Sequence, residues 1–556
     1  MSDRDLALDR SRRALPLLDL ETTDGRYPLS RLSWLPAVGL SAVFTALLLA
    51  WDPQVQDLAA QSFRTELFER NGFAIWNGSW YGGHYTLTYS VLFPPLAALL
   101  GARIVGAISV VASTYLFDRL VRRRWGEQAR WATLWYGVGA VTLLASGQLT
   151  FALGVAVGLL ALYLFQLRLG RWAVLASLGC ALASPVAAVF LAGILLAVCA
   201  GGSFPRRPVA IAMAAVAVGV VGLLNWAFPD SGRFPFVFSS FIAVPLWCAG
   251  ALLLTRNLAG ERQFRAVVWA YLAGAALIWL VPNPLGGNAI RLGTAFGGPV
   301  LAAILLAHRP RVHPVAVAIV LVGSLYWQVL GGVRAVVQSR NDPSTHAGYY
   351  HPVRSWLRAH GASRTRIEVV PTANHWEAAY LAPNFPIARG WLRQLDTTRD
   401  EIFYDGHLSS RLYRGWLRSN GVRYVALSDA SLDYSGVRER SLILRDPGYL
   451  RLRWSSPHWR VYEVSNPSPL VISNGPGWAR LVSVGSDSFT VQVLRPGSFT
   501  ARIRYTPYWS VSAAGACVEQ AGDWTRMRAT RPGTFRVAIR VTPGNILGLS
   551  DGRDRC

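Results

Sequence analysis

The sequence predicts an α-helical polytopic membrane protein that continues into a water-soluble region, first an α/β unit and then a β-sandwich. Three observations predict it. Charged residues make up only 15% of the 556-residue chain, against about 25% in typical soluble proteins. The deficit is confined to 34–333, where apolar runs long enough to cross a bilayer recur. Beyond them the hydrophobic period changes, alternating between helix and strand over 345–465 and turning to short strands with Pro/Gly turns over 466–556.

The apolar runs fall near 34–51, 103–120, 131–147, 150–167, 208–228, 236–254, 266–281, 291–307 and 314–333. The stretch 172–200 is too long for one span and is interrupted at Ala183-Ser184-Pro185, so it reads as two short helices meeting at a turn. The total is about eleven spans. Residues 1–33 form a polar tail with Arg10, Arg12 and Arg13 and no cleavable signal pattern. The first apolar run is therefore expected to act as an uncleaved anchor.

The net charge is +24, and with no lysine in the sequence every basic side chain is arginine. The N-terminal tail and the loops 118–130, 168–171, 201–208, 255–265 and 308–313 hold twenty arginines, and the loops 52–88, 147–150, 229–236 and 282–291 hold four. That asymmetry puts the N-terminus in the cytoplasm and, with an odd number of spans, residues 334–556 outside it. The multi-pass chain is thus assigned to a cytoplasmic membrane, bacterial by its arginine-only, Ala/Gly/Val-rich composition, with the lipid bilayer as its first partner. The basic excess serves orientation and not nucleic-acid binding. Of the five cysteines, Cys180, Cys199 and Cys248 lie in apolar runs as small core residues. Cys517 and Cys556 lie in the outer region, where an oxidising compartment allows a disulfide.

The spans carry almost no ionisable groups; their polar members are the amides Gln148, Gln166, Asn225 and Gln328. Proton-coupled transporters place charged groups near the midplane despite the cost. A transporter is therefore the weaker reading, and any chemistry belongs at the outer surface.

The first outer loop, 52–88, is the most specific stretch. It holds Asp52, the run Asp57-Leu-Ala-Ala-Gln61-x-x-Arg64, Asn71-Gly72, Trp76-Asn77 and Trp80-Tyr81-Gly82-Gly83-His84, and Tyr89 and Pro94-Pro95 follow it. Residues 57–70 suit an interfacial helix with Leu58, Phe63, Leu67 and Phe68 towards lipid and Arg64, Glu66, Glu69 and Arg70 towards water. Asp57 and Gln61 share one helix face. Asp is also a preferred helix cap, so capping competes with catalysis at Asp52 and Asp57. A solvated loop histidine is the plain alternative for His84.

A long first outer loop with an early carboxylate, an interfacial helix and about eleven spans resembles the GT-C class of membrane glycosyltransferases. The quoted residues of 52–95 look like bacterial members of that class. In several of these a histidine stands where Gln61 does, a departure that leaves active and degenerate forms both open. The arginine-only, Ala/Gly/Val-rich composition suits an actinobacterial-type member. The resemblance implies transfer of a sugar from a polyprenyl-phosphate donor to a cell-envelope glycan or glycolipid acceptor at the outer face. It also implies a loop carboxylate acting as general base, or holding a divalent metal in some members. Asp57 is the matching position, Asp52 the reserve and His84 a further catalytic candidate. Arg291, after Asn283-Pro284 and Gly286-Gly287-Asn288, stands at headgroup height, where a guanidinium holds phosphate bidentately or simply snorkels. Gln61 and Arg64 complete the loop's substrate-binding set.

In the outer region, helices are expected over 352–360 and 408–420 and strands over 366–370, 422–427, 480–484, 488–494, 498–505 and 536–541. Asn374-His375-Trp376-Glu377 and Ala388-Arg389-Gly390-Trp391 place exposed tryptophans beside Glu377 and Arg389, a combination suited to carbohydrate. The alternative is core aromatics with ordinary ion pairs. The competing function is a non-catalytic transporter or envelope-assembly protein that displays its outer domain.

Overall fold

The computed structural model describes residues 32–230, 232–546 and Cys556; the N-terminal tail, apart from Leu32 and Ser33, lies outside them. The described residues form two compact units, drawn from Met1–Pro53, Thr88–Trp226 and Arg233–Val337 in one and from Gln54–Leu87, Ala227–Gly232 and Gln338–Cys556 in the other.

The first unit is helical. Among the described residues seven helices are long and apolar enough to cross a membrane: Ala102–Trp125, Leu149–Gln166, Arg207–Ala227, Phe238–Thr255, Arg262–Leu280, Gly286–His308 and Pro314–Ser339. The remaining expected spans are shorter pieces. Gly170–Ala183 has 14 residues and Pro185–Gly201 has 17, and they meet at Ser184, whose side chain caps the second by accepting from the Ala187 amide. The run at 131–147 divides into Arg130–Gly139 and Val141–Ala145. At about 1.5 Å per residue such helices fall short of ~30 Å of hydrocarbon, which is why fewer than eleven reach full span length. The amides inside the spans bond to neighbours: Gln328 Oε1 accepts from Trp135 Nε1 at 2.7 Å, and Asn225 donates to the Val221 carbonyl at 2.9 Å.

Two buried clusters of charged side chains in this unit lie at segments read as cytoplasmic. Glu261 is fully buried, accepts from Trp125 Nε1 at 2.9 Å and faces His308 at 2.9 Å and Arg124 at 3.5 Å. Arg122 pairs with Asp118 and Glu127 and donates to the Ser33 carbonyl at 2.6 Å. A buried charge persists only when partnered.

The second unit is assembled from three stretches of chain, each belonging to a segment that the arginine asymmetry assigns to one face. A two-residue ladder pairs β1 (Trp76–Asn77) with β2 (His84–Tyr85). The first larger sheet runs β3 (Arg366–Val369), β4 (Val422–Ser428), β6 (Trp459–Val464) and β5 (Leu450–Ser455), with β3 and β4 parallel and the rest antiparallel. Helices Ala347–Ala359, Ser410–Ser419 and Tyr434–Leu444 accompany it. Tyr413, Leu417, Val422, Val425, Ile443 and Val464 form its core. Two four-stranded antiparallel sheets follow. One orders β12 (Ala516–Ala521), β13 (Trp524–Ala529), β10 (Gly497–Arg504) and β7 (Val471–Ser473); the other orders β11 (Trp509–Val511), β14 (Gly533–Ile539), β9 (Ser488–Arg495) and β8 (Trp478–Val484). Along β9, Phe489, Val491 and Val493 are buried and alternate with half-exposed Thr490 and Gln492, as a one-sided sheet requires. A disulfide joins Cys517 on β12 to Cys556, with Cα atoms 5.2 Å apart.

Candidate functional site

The first outer loop folds as a helix, Gln56–Asn71, preceded by extended Val55 and stopped at Gly72, whose φ is +66°. Asp57 lies in its first turn, where a carboxylate complements the helix dipole. The apolar face does not go to lipid as expected. Leu58, Phe63 and Leu67 are buried within the second unit, and Phe63 stacks on Trp80 with ring centres 4.2 Å apart. Arg64, expected towards water, is 7% exposed and lies 5.9 Å over the Trp80 ring. The short helix Glu377–Tyr380 packs against this one, so protein supplies the apolar cover that lipid was assigned. Gln61 is buried and Asp57 half-buried.

The structure brings this loop together with the second tryptophan-bearing stretch. Trp376 Nε1 donates to the Gln54 carbonyl and Trp391 Nε1 to the Gln56 carbonyl, each at 3.1 Å. Both bonds clasp the residues that lead into Asp57. The expectation of exposed tryptophans fails at Trp376, which is 3% exposed and stacks on Tyr380. Trp391 is half-buried and lies flat on His375, with centroids 3.6 Å apart and planes 6° from parallel.

The charges beneath are ion pairs of the interior. His375 Nδ1 is 3.3 Å from Glu377 Oε1 and its Nε2 is 3.3 Å from Asp433 Oδ2. Asp433 receives a bidentate pair of hydrogen bonds from Arg393 at 2.6 and 2.9 Å. Burial alone would lower the His375 pKa, but its hydrogen bonds and attraction to Asp433 and Glu377 outweigh burial and raise it. Arg389, expected at a sugar surface, is 3% exposed and holds Asp396 at 2.8 Å and Glu439 at 3.3 Å, with Glu368 at 4.0 Å. Burial pushes the carboxyls of Glu439 and Asp400 up to about 7.

Trp80-Tyr81-Gly82-Gly83-His84 is a docking turn. Tyr81, Gly82 and Gly83 all adopt positive φ. A Cβ on Gly83 would stand 2.2 Å from the Trp76 ring, so only glycine fits. Arginines take the turn's carbonyls: Arg504 Nε donates to Tyr81 O at 3.0 Å and Arg399 to Gly83 O at 2.7 Å. His84 is no solvated loop residue. It is 2% exposed, pairs with Asn77 across a two-residue ladder and stacks on Trp80. Burial, followed by the charges of Arg399 and Arg64, holds its pKa well below the usual value. Sequence reasoning missed Asp433 and Asp230, which meet this site from far along the chain: Asp230 pairs with Arg399 and accepts from the Tyr85 amide. No local pattern marks either residue.

In the helical unit, Asp52 follows Leu35–Trp51 as its left-handed cap, and its carboxylate pairs with Arg103 at 2.8 Å. Arg291 lies with its guanidinium 5.4 Å from the Phe151 ring. Phe151 and Leu292 line an apolar cavity of about 210 Å³ that runs on to Phe117, Leu159, Phe264 and Trp125. Among the described residues no three His, Cys, Asp or Glu side chains gather as metal ligands.

No protein-family model matches the chain, and no curated protein matches it. One solved structure similar to it is that of the arabinofuranosyltransferase AftD from mycobacteria, at 14% sequence identity and a TM-score of 0.44. That similarity covers 93% of this chain and 57% of the other, so this chain spans little more than half the length of the protein it resembles.

Proposed function

We propose that the chain is a GT-C-class membrane glycosyltransferase that moves a sugar from a polyprenyl-phosphate donor to a cell-envelope glycan or glycolipid at the outer face. Asp57 is the general base. Its carboxylate takes the proton from an acceptor hydroxyl, the oxygen attacks the sugar's anomeric carbon, and the bond to phosphate breaks with its electrons leaving on polyprenyl phosphate. A base must lie within hydrogen-bond reach of the hydroxyl; a half-buried carboxylate at the start of a helix meets that need without the penalty of full burial.

The observation that carries this reading is the pair of tryptophan N–H groups from distant sequence that grip Gln54 and Gln56 around the start of the Asp57 helix. Chemistry needs the first turn held still, and a merely solvated loop helix has no use for two such bonds. Arg291 is assigned to the donor phosphate, supported by the apolar cavity lined by its neighbours Phe151 and Leu292, which suits a hydrocarbon tail. His84 is assigned to anchoring the loop and not to proton transfer, because it is buried and neutral. The buried Arg389 and Trp376 support the fold beneath the site, and the two β-sheets are read as a sandwich that supports acceptor glycan.

The test is an Asp57→Asn variant in a deletion strain. Loss of a glycan or glycolipid that the wild-type gene restores is expected; full restoration by the variant refutes the base. Protease added to intact spheroplasts should cleave within 345–556, and protection of that region refutes the orientation.

A further inference from the structure

The imidazole of His375 is used by nothing in that reaction, yet it occupies a demanding position. Its backbone φ is +55°, a left-handed conformation that costs a histidine energy and that surrounding structure must enforce. It is 3% exposed, with Trp391 flat on its ring. Glu377 faces it from the following helix, and Asp433 and Arg393 face it from the starts of Tyr434–Leu444 and Arg393–Arg399. Tyr404 and Tyr434 border Arg393 in turn, and Asp342 binds the neighbouring Asn374.

The charges count out simply. Arg393 and Asp433 neutralise each other through two hydrogen bonds. Among the described residues Glu377, 4% exposed, meets the Thr372 hydroxyl at 2.6 Å through one carboxylate oxygen and faces His375 through the other. An imidazolium at His375 balances it, and a buried carboxylate without a cation is strongly unfavourable. The same proton turns the ring stack into a cation–π contact with Trp391. Trp391 in turn holds the Gln56 carbonyl, next to Asp57.

We propose that His375 is a positioning residue that, as an imidazolium between Glu377 and Asp433, holds Trp391 against the first turn of the Asp57 helix and makes the order of that turn depend on pH. The structural link from His375 to Gln56 stands by itself; its catalytic consequence rests on the assignment of Asp57 as base. Because the proton is bound more tightly in the folded chain than in the unfolded one, the ordering is complete below about pH 6.5 and is lost as pH rises through the raised His375 pKa.

Hydrogen–deuterium exchange of the full-length chain in detergent reads this directly from peptides covering 54–64. After correction for intrinsic base catalysis, exchange in the wild type is expected to quicken about five- to thirtyfold between mildly acid and alkaline buffer, the range set by a desolvated cation–π contact. His375→Asn, which tolerates left-handed backbone but carries no charge, should exchange fast at both pH values. Trp391→Phe keeps the stack, loses the bond to Gln56, and should also be fast at both. A wild-type chain whose protection ignores pH, or a pH step that survives in His375→Asn, overturns the proposal. Neither result depends on glycan transfer, so failure of the Asp57→Asn test leaves this one standing or falling separately.

Discussion

Replacing Asp400 by Asn should leave stability nearly unchanged in acid and raise it steadily towards neutral pH. Asp400 is 4% exposed; its Oδ1 accepts from Trp416 Nε1 at 2.9 Å, and its Oδ2 has no partner among the described residues. An asparagine oxygen keeps the Trp416 bond, and its NH2 takes the place of the unbonded oxygen. Burial first, and then the charge of Asp396, push the Asp400 carboxyl from 3.8 up to about 7. The folded chain therefore keeps a proton that the unfolded chain gives up near its ordinary value, and stability is lost as pH climbs from about 4 to about 7. At about 1.4 kcal/mol per pH unit the wild-type loss approaches 4 kcal/mol, and relaxation around the site brings the net gain for the amide to roughly 2–4 kcal/mol. Each kcal/mol moves the midpoint of a domain this large by roughly 2–4 °C, so several degrees are at stake. The assay is the thermal midpoint of both purified chains, followed by tryptophan fluorescence across that pH range. An offset equal at every pH, or a lower midpoint for the variant at neutral pH, refutes the reasoning.

Gly83→Ala should destabilise the second unit by roughly 2–4 kcal/mol, since the added Cβ meets Trp76 at 2.2 Å and sits at a φ of +129°; unchanged proteolytic resistance of that unit would contradict this. Cys517→Ser opens a 39-residue loop and should cost roughly 2–4 kcal/mol, seen as a lower midpoint that reductant produces in the wild type but not in the variant. Arg389→Met strands Asp396 and Glu439 and should cost roughly 3–5 kcal/mol at neutral pH and less in acid, where the carboxyls protonate; a pH-independent loss counts against the ion cluster.

Local pattern carried much of the architecture. The strands expected at 480–484, 488–494, 498–505 and 536–541 correspond to β8, β9, β10 and β14, because alternation with period two is written in neighbouring residues. Strands β5, β6, β7, β11, β12 and β13 went unseen; Leu450–Ser455, for example, has Arg451, Leu452 and Arg453 all exposed in succession, which hides the alternation. The helix Gln56–Asn71 was legible from its composition, but its direction was not. An amphipathic face states only that something apolar covers it, and Trp80 with Glu377–Tyr380, not lipid, does so here.

The candidate site divides along the same line. Asp57 and the tryptophans at 376 and 391 stood out as residue types, since carboxylates and indoles in a loop are conspicuous wherever they lie. Their meeting, through two hydrogen bonds across more than three hundred residues, follows from no local rule. The same holds for His375, whose Nε2 meets Asp433 from 58 residues away. Hydrophobic length and arginine placement, which act one segment at a time, already mark a many-helix membrane protein with a folded region beyond its last span. Which buried charges pair and which aromatic rings clasp the Asp57 helix follow from the folded chain, because those energies depend on distance in space and not on distance along the chain.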